Sequence, residues 1–126
     1  MGGLPRISDA EWDVMSVLWA EHPLSAHQVA ERLANQKSWS PQTVKTLLGR
    51  LVRKGALGFL TVGRRYLYHP KLSRERCVRE ESRTFAERVF GGDAHPLLVH
   101  MVRETEMSQE EIDELRRILG EKEEEE

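Results

Sequence analysis

Seven side chains between residues 40 and 53 carry chemistry of a single kind. Ser40, Gln42, Thr43, Lys45, Thr46, Arg50 and Arg53 are all hydrogen-bonding or cationic, and none is acidic. Gln42, Lys45, Thr46, Gly49 and Arg53 fall on one side of an α-helix, with Arg50 on its flank. A solvated helix usually mixes charge signs on its polar face, so an acid-free face points to a polyanion. The division of labour follows from residue type. Gln42, Thr43 and Thr46, near the helix start, suit base edges: an amide for adenine, a hydroxyl or methyl for thymine. Lys45, Arg50 and Arg53 suit phosphates, which supply salt-dependent affinity without sequence information. Ser40 can cap the helix and donate to a phosphate, and Gly49 lets the helix approach the DNA backbone closely. A second basic pair, Arg64-Arg65, follows Gly63.

Catalytic patterns are missing from the sequence. It has no Gly-rich phosphate loop, no Gly-x-Ser-x-Gly and no His-Glu-x-x-His. The five histidines (His22, His27, His69, His95 and His100) lack ligand spacing and are read as surface or structural groups. The single cysteine, Cys77, excludes an internal disulfide framework and a Cys-only metal site within one chain. No catalytic residue, metal site or cofactor is expected, and the chain is read as a non-enzyme.

The elements that position these groups follow from caps and periodicity. Ser8-Asp9-Ala10-Glu11 is a capping box, stapled by Ile7 and Trp12, which opens a helix over about 9–20 striped by Trp12, Met15, Leu18 and Trp19. Residues 1–7 before it are expected to be loose, with Ile7 anchoring this first helix. His22-Pro23 breaks that helix, and Ser25-Ala26-His27-Gln28 opens a short second one, about 26–35. Ser40, with Pro41 at the first helical position and the Trp39–Val44 staple, opens the third helix, which Gly55 closes in the left-handed conformation. Val44, Leu47, Leu48 and Leu51 form its apolar face. The period then changes to two: Leu57, Phe59 and Thr61 alternate with Gly58, Leu60 and Val62. Gly63-Arg64-Arg65 turns the chain, and Tyr66-Leu67-Tyr68-His69 returns. Helix, helix, polar turn, basic helix and hairpin is the order of a winged helix-turn-helix, with the third helix as reader.

The charge is divided as sharply as the pattern. Arg32, Lys37, Lys45, Arg50, Arg53, Lys54, Arg64, Arg65, Lys71 and Arg74 occupy a stretch with no acid at all, while the chain as a whole carries a net charge of −2. From Glu75 onward acids dominate, as in a nucleic-acid-binding half joined to a non-binding one. That second half reads as three helices with narrow apolar seams. Ser73 caps the first, which holds Val78, Phe85, Val89 and Phe90 and stops at Gly91-Gly92. Leu97, Leu98 and Met101 mark the second. Ser108-Gln109-Glu110-Glu111 opens the third, where Ile112, Leu115, Ile118 and Leu119 lie before Gly120 ends it. Such stripes bury little alone, whereas a two-fold partner covers them and presents two reading helices to a palindromic operator.

The fold class expected is therefore mainly α: an N-terminal winged helix-turn-helix (three helices plus a β-hairpin wing) and a C-terminal three-helix dimerisation region. The boundaries expected are 1–71 for the DNA-binding domain, 72–120 for the dimerisation domain and 121–126 for a disordered acidic tail. No signal-peptide pattern or membrane-spanning apolar run is present, which points to a cytoplasmic protein without membrane insertion.

With these residues in place, the sequence resembles the BlaI/MecI family of penicillinase repressors over about residues 7–119. The resemblance rests on Ile7-Ser8-Asp9-Ala10-Glu11-Trp12-Asp13-Val14-Met15, on Trp39 through Leu48, on Gly63-Arg64 followed by Tyr66-Leu67-Tyr68, and on Phe90-Gly91-Gly92 with Leu97-Leu98 after it. It implies a homodimeric repressor on a dyad operator in front of resistance genes. It also implies release by proteolysis, through a membrane-bound sensor metalloprotease activated by a β-lactam. The family's cut between Asn and Phe matches Thr84-Phe85, with Thr84 in place of the Asn. A copper-responsive branch carries C-terminal Cys-x-Cys pairs, which this chain lacks. Two alternatives stay open at this point: a winged-helix protein–protein adaptor, and a repressor of the same fold released by another signal.

Overall fold

The computed structural model describes residues 4–125. Eight elements follow in order: α1 (Asp9–Ala20), α2 (Ala26–Leu33), α3 (Pro41–Arg53), β1 (Leu57–Val62), β2 (Arg65–Pro70), α4 (Arg74–Phe90), α5 (His95–Glu104) and α6 (Gln109–Glu124). The chain forms two compact units that divide within α4, between Ser82 and Arg83.

In the first unit, α1 to α3 enclose one apolar core. Val14, Met15 and Leu18 of α1, Val29 and Leu33 of α2, and Val44, Leu47, Leu48 and Leu51 of α3 meet Leu24, Ala56 and Leu57. The apolar face expected for α3 is thus fully used. In α1 the stripe is shifted: Val14 is buried, while Trp12 and Trp19 are half-buried and meet edge to face at 5.3 Å. The second helix ends at Leu33, short of the expected 35. Of the stretch expected to be loose, residues 1–3 lie outside the described residues, and Ile7 is buried.

The caps explain the boundaries. Ser8 with Glu11, and Ser25 with Gln28, each close a reciprocal capping box. Ser40 Oγ accepts from the Thr43 amide at 3.2 Å, and Pro41 stands in the first turn. At the other end of α3, Gly55 has φ +82°. Its N–H donates to the Val52 carbonyl, and the Ala56 N–H donates to Leu51. Those two bonds are a Schellman closure, with Ala56 and Leu51 both buried behind it. The chain then turns straight into the hairpin. β1 and β2 pair antiparallel from Leu57↔Pro70 to Val62↔Arg65, so the turn is the two residues Gly63-Arg64, and Arg65 begins the return strand. Gly63 at φ +63° in the first turn position fits a type II′ hairpin. Leu24 adds an isolated bridge to Tyr68, which brings the start of α2 beside the wing.

α4 does not begin a separate layer, as a boundary at 71/72 would have it. Leu72 packs on the core, its carbonyl accepts from the Trp19 indole at 2.9 Å, and Cys77 is buried, so the early part of α4 belongs with the winged helix. Ser73 caps α4 as expected, with Oγ accepting from the Arg76 amide. In the second unit, Gly91 and Gly92, both at positive φ, end α4. The α6 reading needs correction. Gly120 does not end that helix, and the acidic tail expected to be disordered is helical to Glu124. Gly120 keeps helical dihedrals, and Arg117 reaches across it to Glu121 at 2.8 Å, one turn on. Glu126 lies outside the described residues.

Candidate nucleic-acid interface

The seven α3-region groups are all exposed: Ser40, Gln42, Thr43, Lys45, Thr46, Arg50 and Arg53. Val44, Leu47, Leu48 and Leu51 are turned into the core and Val52 is half-buried, so the outward face of the helix is mainly polar. Local hydrogen bonds sharpen their roles. Ser40 Oγ lies 3.1 Å from Thr43 Oγ1 while it caps, so these two hydroxyls act as a pair. The Thr46 hydroxyl donates to the Gln42 carbonyl at 3.0 Å, which leaves its lone pairs and methyl for a partner. Gly49 has open space apart from the Arg53 guanidinium, which a Cβ would meet at 3.6 Å.

α3 also lacks one feature of its neighbours. The third residue of α1, α2 and α6 is Glu or Gln, which closes a capping box. In α3 it is Thr43. A carboxylate there would stand at the positive end of the helix dipole, where an approaching phosphate belongs.

Eight of the ten bases of the acid-free stretch separate into two groups. Three are occupied by acids of α1 and its C-cap: Arg32 holds Glu21 through two bonds of 3.1 and 2.9 Å, Lys37 meets Asp13 at 3.3 Å, and Lys54 meets Glu11 at 2.5 Å. The Arg32 hydrogen bonds hold the Glu21 carboxyl below its ordinary pKa range and raise that of Arg32. Lys45, Arg50, Arg53, Arg64 and Arg65 form no ion pair among the described residues, and all are exposed. The five bases expected to meet phosphates are thus all uncommitted.

The fold also builds a cleft that spacing alone did not reveal. Ser25, Ala26 and His27 at the start of α2, Lys45 of α3, and Arg64, Arg65, Tyr66 and Tyr68 of the wing line a concavity of about 640 Å³. The Leu24–Tyr68 bridge makes it by joining segments over 40 positions apart in sequence. On the hairpin, Phe59, Tyr66 and Tyr68 form a ring cluster with centroids 4.4 to 6.4 Å apart. Burial raises the Tyr68 pKa and also that of Cys77, whose thiol therefore stays protonated and packed. Among the described residues no cluster of His, Cys, Asp or Glu could hold a metal ion, and no helix is long and apolar enough to cross a membrane.

In the second unit the expected seam residues lie on α4, α5 and α6, and few are covered. Of residues 83–125, Ala86 alone is buried, with Phe85 and Phe90 half-buried at 6.2 Å between rings. Leu98 and Leu119 are 60 % and 63 % exposed. Val89, Met101, Leu115 and Ile118 are also exposed, as is Val78 in the first half of α4, whereas Leu97 and Ile112 are half-buried. Thr84 and Phe85, the candidate cleavage pair, stand inside α4 and are half-buried.

A family model of penicillinase repressors matches residues 7–121. The chain belongs to the penicillinase repressor family. It is 35 % identical over 121 residues to the penicillinase repressor of Bacillus licheniformis, covering 96 % of this chain and 94 % of that protein. It is 34 % identical over 117 residues to the methicillin resistance regulatory protein MecI of Staphylococcus aureus, covering 93 % and 95 %. The solution structure of the DNA-binding domain of the repressor BlaI matches with a TM-score of 0.54 at 38 % identity, covering 60 % of this chain and 93 % of that one. The Bacillus licheniformis BlaI monomeric form, solved in complex with the blaP half-operator, matches with 0.52 and the same coverage. MepR of Staphylococcus aureus, at 20 % identity and a TM-score of 0.52 over 94 % of this chain and 79 % of that one, shares the fold alone. This member of the family is accordingly a DNA-binding transcriptional repressor with a winged helix, and not an enzyme.

Proposed function

We propose that the chain acts in the cytoplasm as a homodimer on a palindromic operator, with one α3 in the major groove of each half-site. The observation that carries this reading is the exposed, acid-free face of α3. On it Gln42, Thr43 and Thr46 would read bases, while Ser40, Lys45, Arg50 and Arg53 grip phosphates. Arg64 and Arg65 on the wing extend the footprint to the neighbouring backbone or minor groove. BlaI, with which this chain shares 38 % identity, is solved in complex with the blaP half-operator, which supports operator DNA as the partner here. The exposed seam of Val89, Leu98, Met101, Leu115, Ile118 and Leu119, joined by Val78, Phe85, Phe90, Leu97 and Ile112, supports self-association, because apolar surface of this kind is stabilised when a second copy covers it.

The relatives named for penicillinase and methicillin resistance support β-lactam resistance genes as the targets. Release by a membrane-bound sensor metalloprotease, cutting between Thr84 and Phe85, is the matching induction route. A gel shift on the DNA upstream of the protein's own gene, repeated across salt concentrations, tests the core of the proposal. A shift that weakens steeply with salt yet outlasts excess mixed-sequence duplex supports it. Binding that such competitor DNA removes would sink it.

A further inference from the structure

Three helices of this chain open with a serine capping box, and one of the three goes beyond what a cap requires. In α2 the third residue is Gln28, neutral and half-buried, and it closes the box with bonds of 2.9 and 3.2 Å. In α6 it is Glu111, exposed, with bonds of 2.8 and 3.1 Å. A cap therefore needs neither burial nor charge. Yet in α1 the third residue, Glu11, is an acid only 1 % exposed. Burying a carboxylate is unfavourable unless a partner compensates it. That partner is Lys54, whose Nζ lies 2.5 Å from Glu11 Oε1 and also donates to the Arg6 carbonyl at 2.7 Å.

Lys54 is the C-cap residue of α3. The bond thus joins the first turn of α1 to the last turn of the helix that faces DNA. Apolar packing between these helices is strong but non-directional, whereas a hydrogen-bonded ion pair fixes a distance and an angle. Direction matters here because α3 is a lever. From Arg53 back to Gln42 the helix is roughly 16 Å long, so a tilt of about 5° moves the base-facing end by more than about 1 Å. Hydrogen bonds to bases do not survive such a shift.

We propose that Glu11 is a positioning residue for DNA recognition. Through Lys54 it sets the angle at which Gln42, Thr43 and Thr46 enter the groove. The proposal rests on α3 being the reading helix.

The test uses the full chain and two fluorescent duplexes of equal length: one enriched with this protein from a random-sequence pool, the other of mixed sequence. Anisotropy titrations at several salt concentrations are run on Glu11→Gln, Lys54→Met, their double variant and Thr46→Ala, each checked for folding by circular dichroism. Glu11→Gln retains the cap, as Gln28 does. Its preference for the enriched duplex should fall roughly three- to thirty-fold, the range expected for a residue acting through a contact network. The salt slope should stay unchanged, because no phosphate contact is removed. The double variant should lose no more than Glu11→Gln alone, since the two groups act as one unit. The double variant also carries no stranded charge, so it gives the answer if a single variant fails to fold.

A folded Glu11→Gln protein with undiminished preference overturns the proposal. So does a salt slope about one unit shallower in Lys54→Met, which would put Lys54 on a phosphate. Thr46→Ala separates the two levels of the reading. If it loses preference while Glu11→Gln keeps it, only the positioning role fails. If Thr46→Ala keeps full preference, α3 is not the reading helix and the proposal falls with it.

Discussion

At the scale of single residues, the proposed function divides the face of α3 between affinity and discrimination. Lys45 is exposed and unpaired among the described residues, and its flexible ammonium suits a phosphate better than a base. Lys45→Ala should therefore weaken binding to operator and mixed-sequence DNA alike, and lower the salt slope by about one unit. Loss of discrimination with non-specific affinity intact would refute that assignment. Thr46 has its proton engaged with the Gln42 carbonyl, so its lone pairs and methyl face outward chemistry. Removing them should cost roughly 1–3 kcal/mol at matched sites and little on mixed DNA, read as competition between the two duplexes. Gly49 gives a third, opposed pair of effects. Glycine inside a helix is about 0.5–1 kcal/mol less favourable than alanine, and a Cβ here meets only the Arg53 guanidinium at ordinary contact distance. Gly49→Ala should then raise the melting temperature yet reduce DNA affinity, because the added methyl holds the helix off the backbone. Equal or better binding by the more stable variant would show that close approach at Gly49 is not used.

At the scale of elements, the caps carried most of the information a reader of the sequence needs. Ser8, Ser25, Ser40, Ser73 and Ser108 each begin a helix where local hydrogen bonding alone requires it, and Gly55 and Gly91-Gly92 end two by positive φ. What failed was what local rules leave open. Gly120 accepts helical dihedrals as readily as left-handed ones, so the Arg117–Glu121 pair could carry α6 past it. Lys54 counts as one more free base in the sequence, because its partner Glu11 lies 43 positions away. The cleft between α2 and the wing was hidden for the same reason: Leu24 and Tyr68 meet only in the folded chain. The Glu11–Lys54 pair also has a titration signature. Burial pushes the Glu11 carboxyl upward, but the Lys54 ammonium and the Ser8 amide and hydroxyl outweigh it and hold the group below its usual 4.5. A depressed carboxylate contributes stability above its unfolded value and loses it as pH falls through the folded one. Melting temperature should therefore drop below about pH 4.5, and the Glu11→Gln protein should show less of that drop. Glu21 and Glu111, also shifted down, remain in both proteins, so the difference between the two curves isolates Glu11. Parallel curves would mean that Glu11 carries no such contribution.

At the scale of the whole molecule, the proposed function puts reading and control on different surfaces. In the proposed dimer each α3 would span only a few base pairs, so operator affinity would rest on coupling two copies, and linkage of this kind is worth about 10²–10⁴ in affinity. The proposed coupling surface lies on α4 to α6, where Leu98 and Leu119 are the most exposed apolar side chains. The same region contains Thr84-Phe85 within a closed helix turn. A protease needs an extended backbone, so cleavage there requires α4 to open locally first, and a dimer that braces α4 would resist it. Loosening the dimer and exposing the cut would then be one event. The paired substitution Leu98→Glu with Leu119→Glu separates association from recognition. Both residues belong to the second unit and the α3 and wing groups to the first, so the variant should keep wild-type affinity for a single half-site. On the full palindrome it should fall toward that half-site value, while sedimentation shows a monomer. If the doubly charged variant still sediments as a dimer, the seam lies elsewhere. If half-site affinity collapses with it, the two surfaces are not separable and the division of function proposed for the chain is wrong.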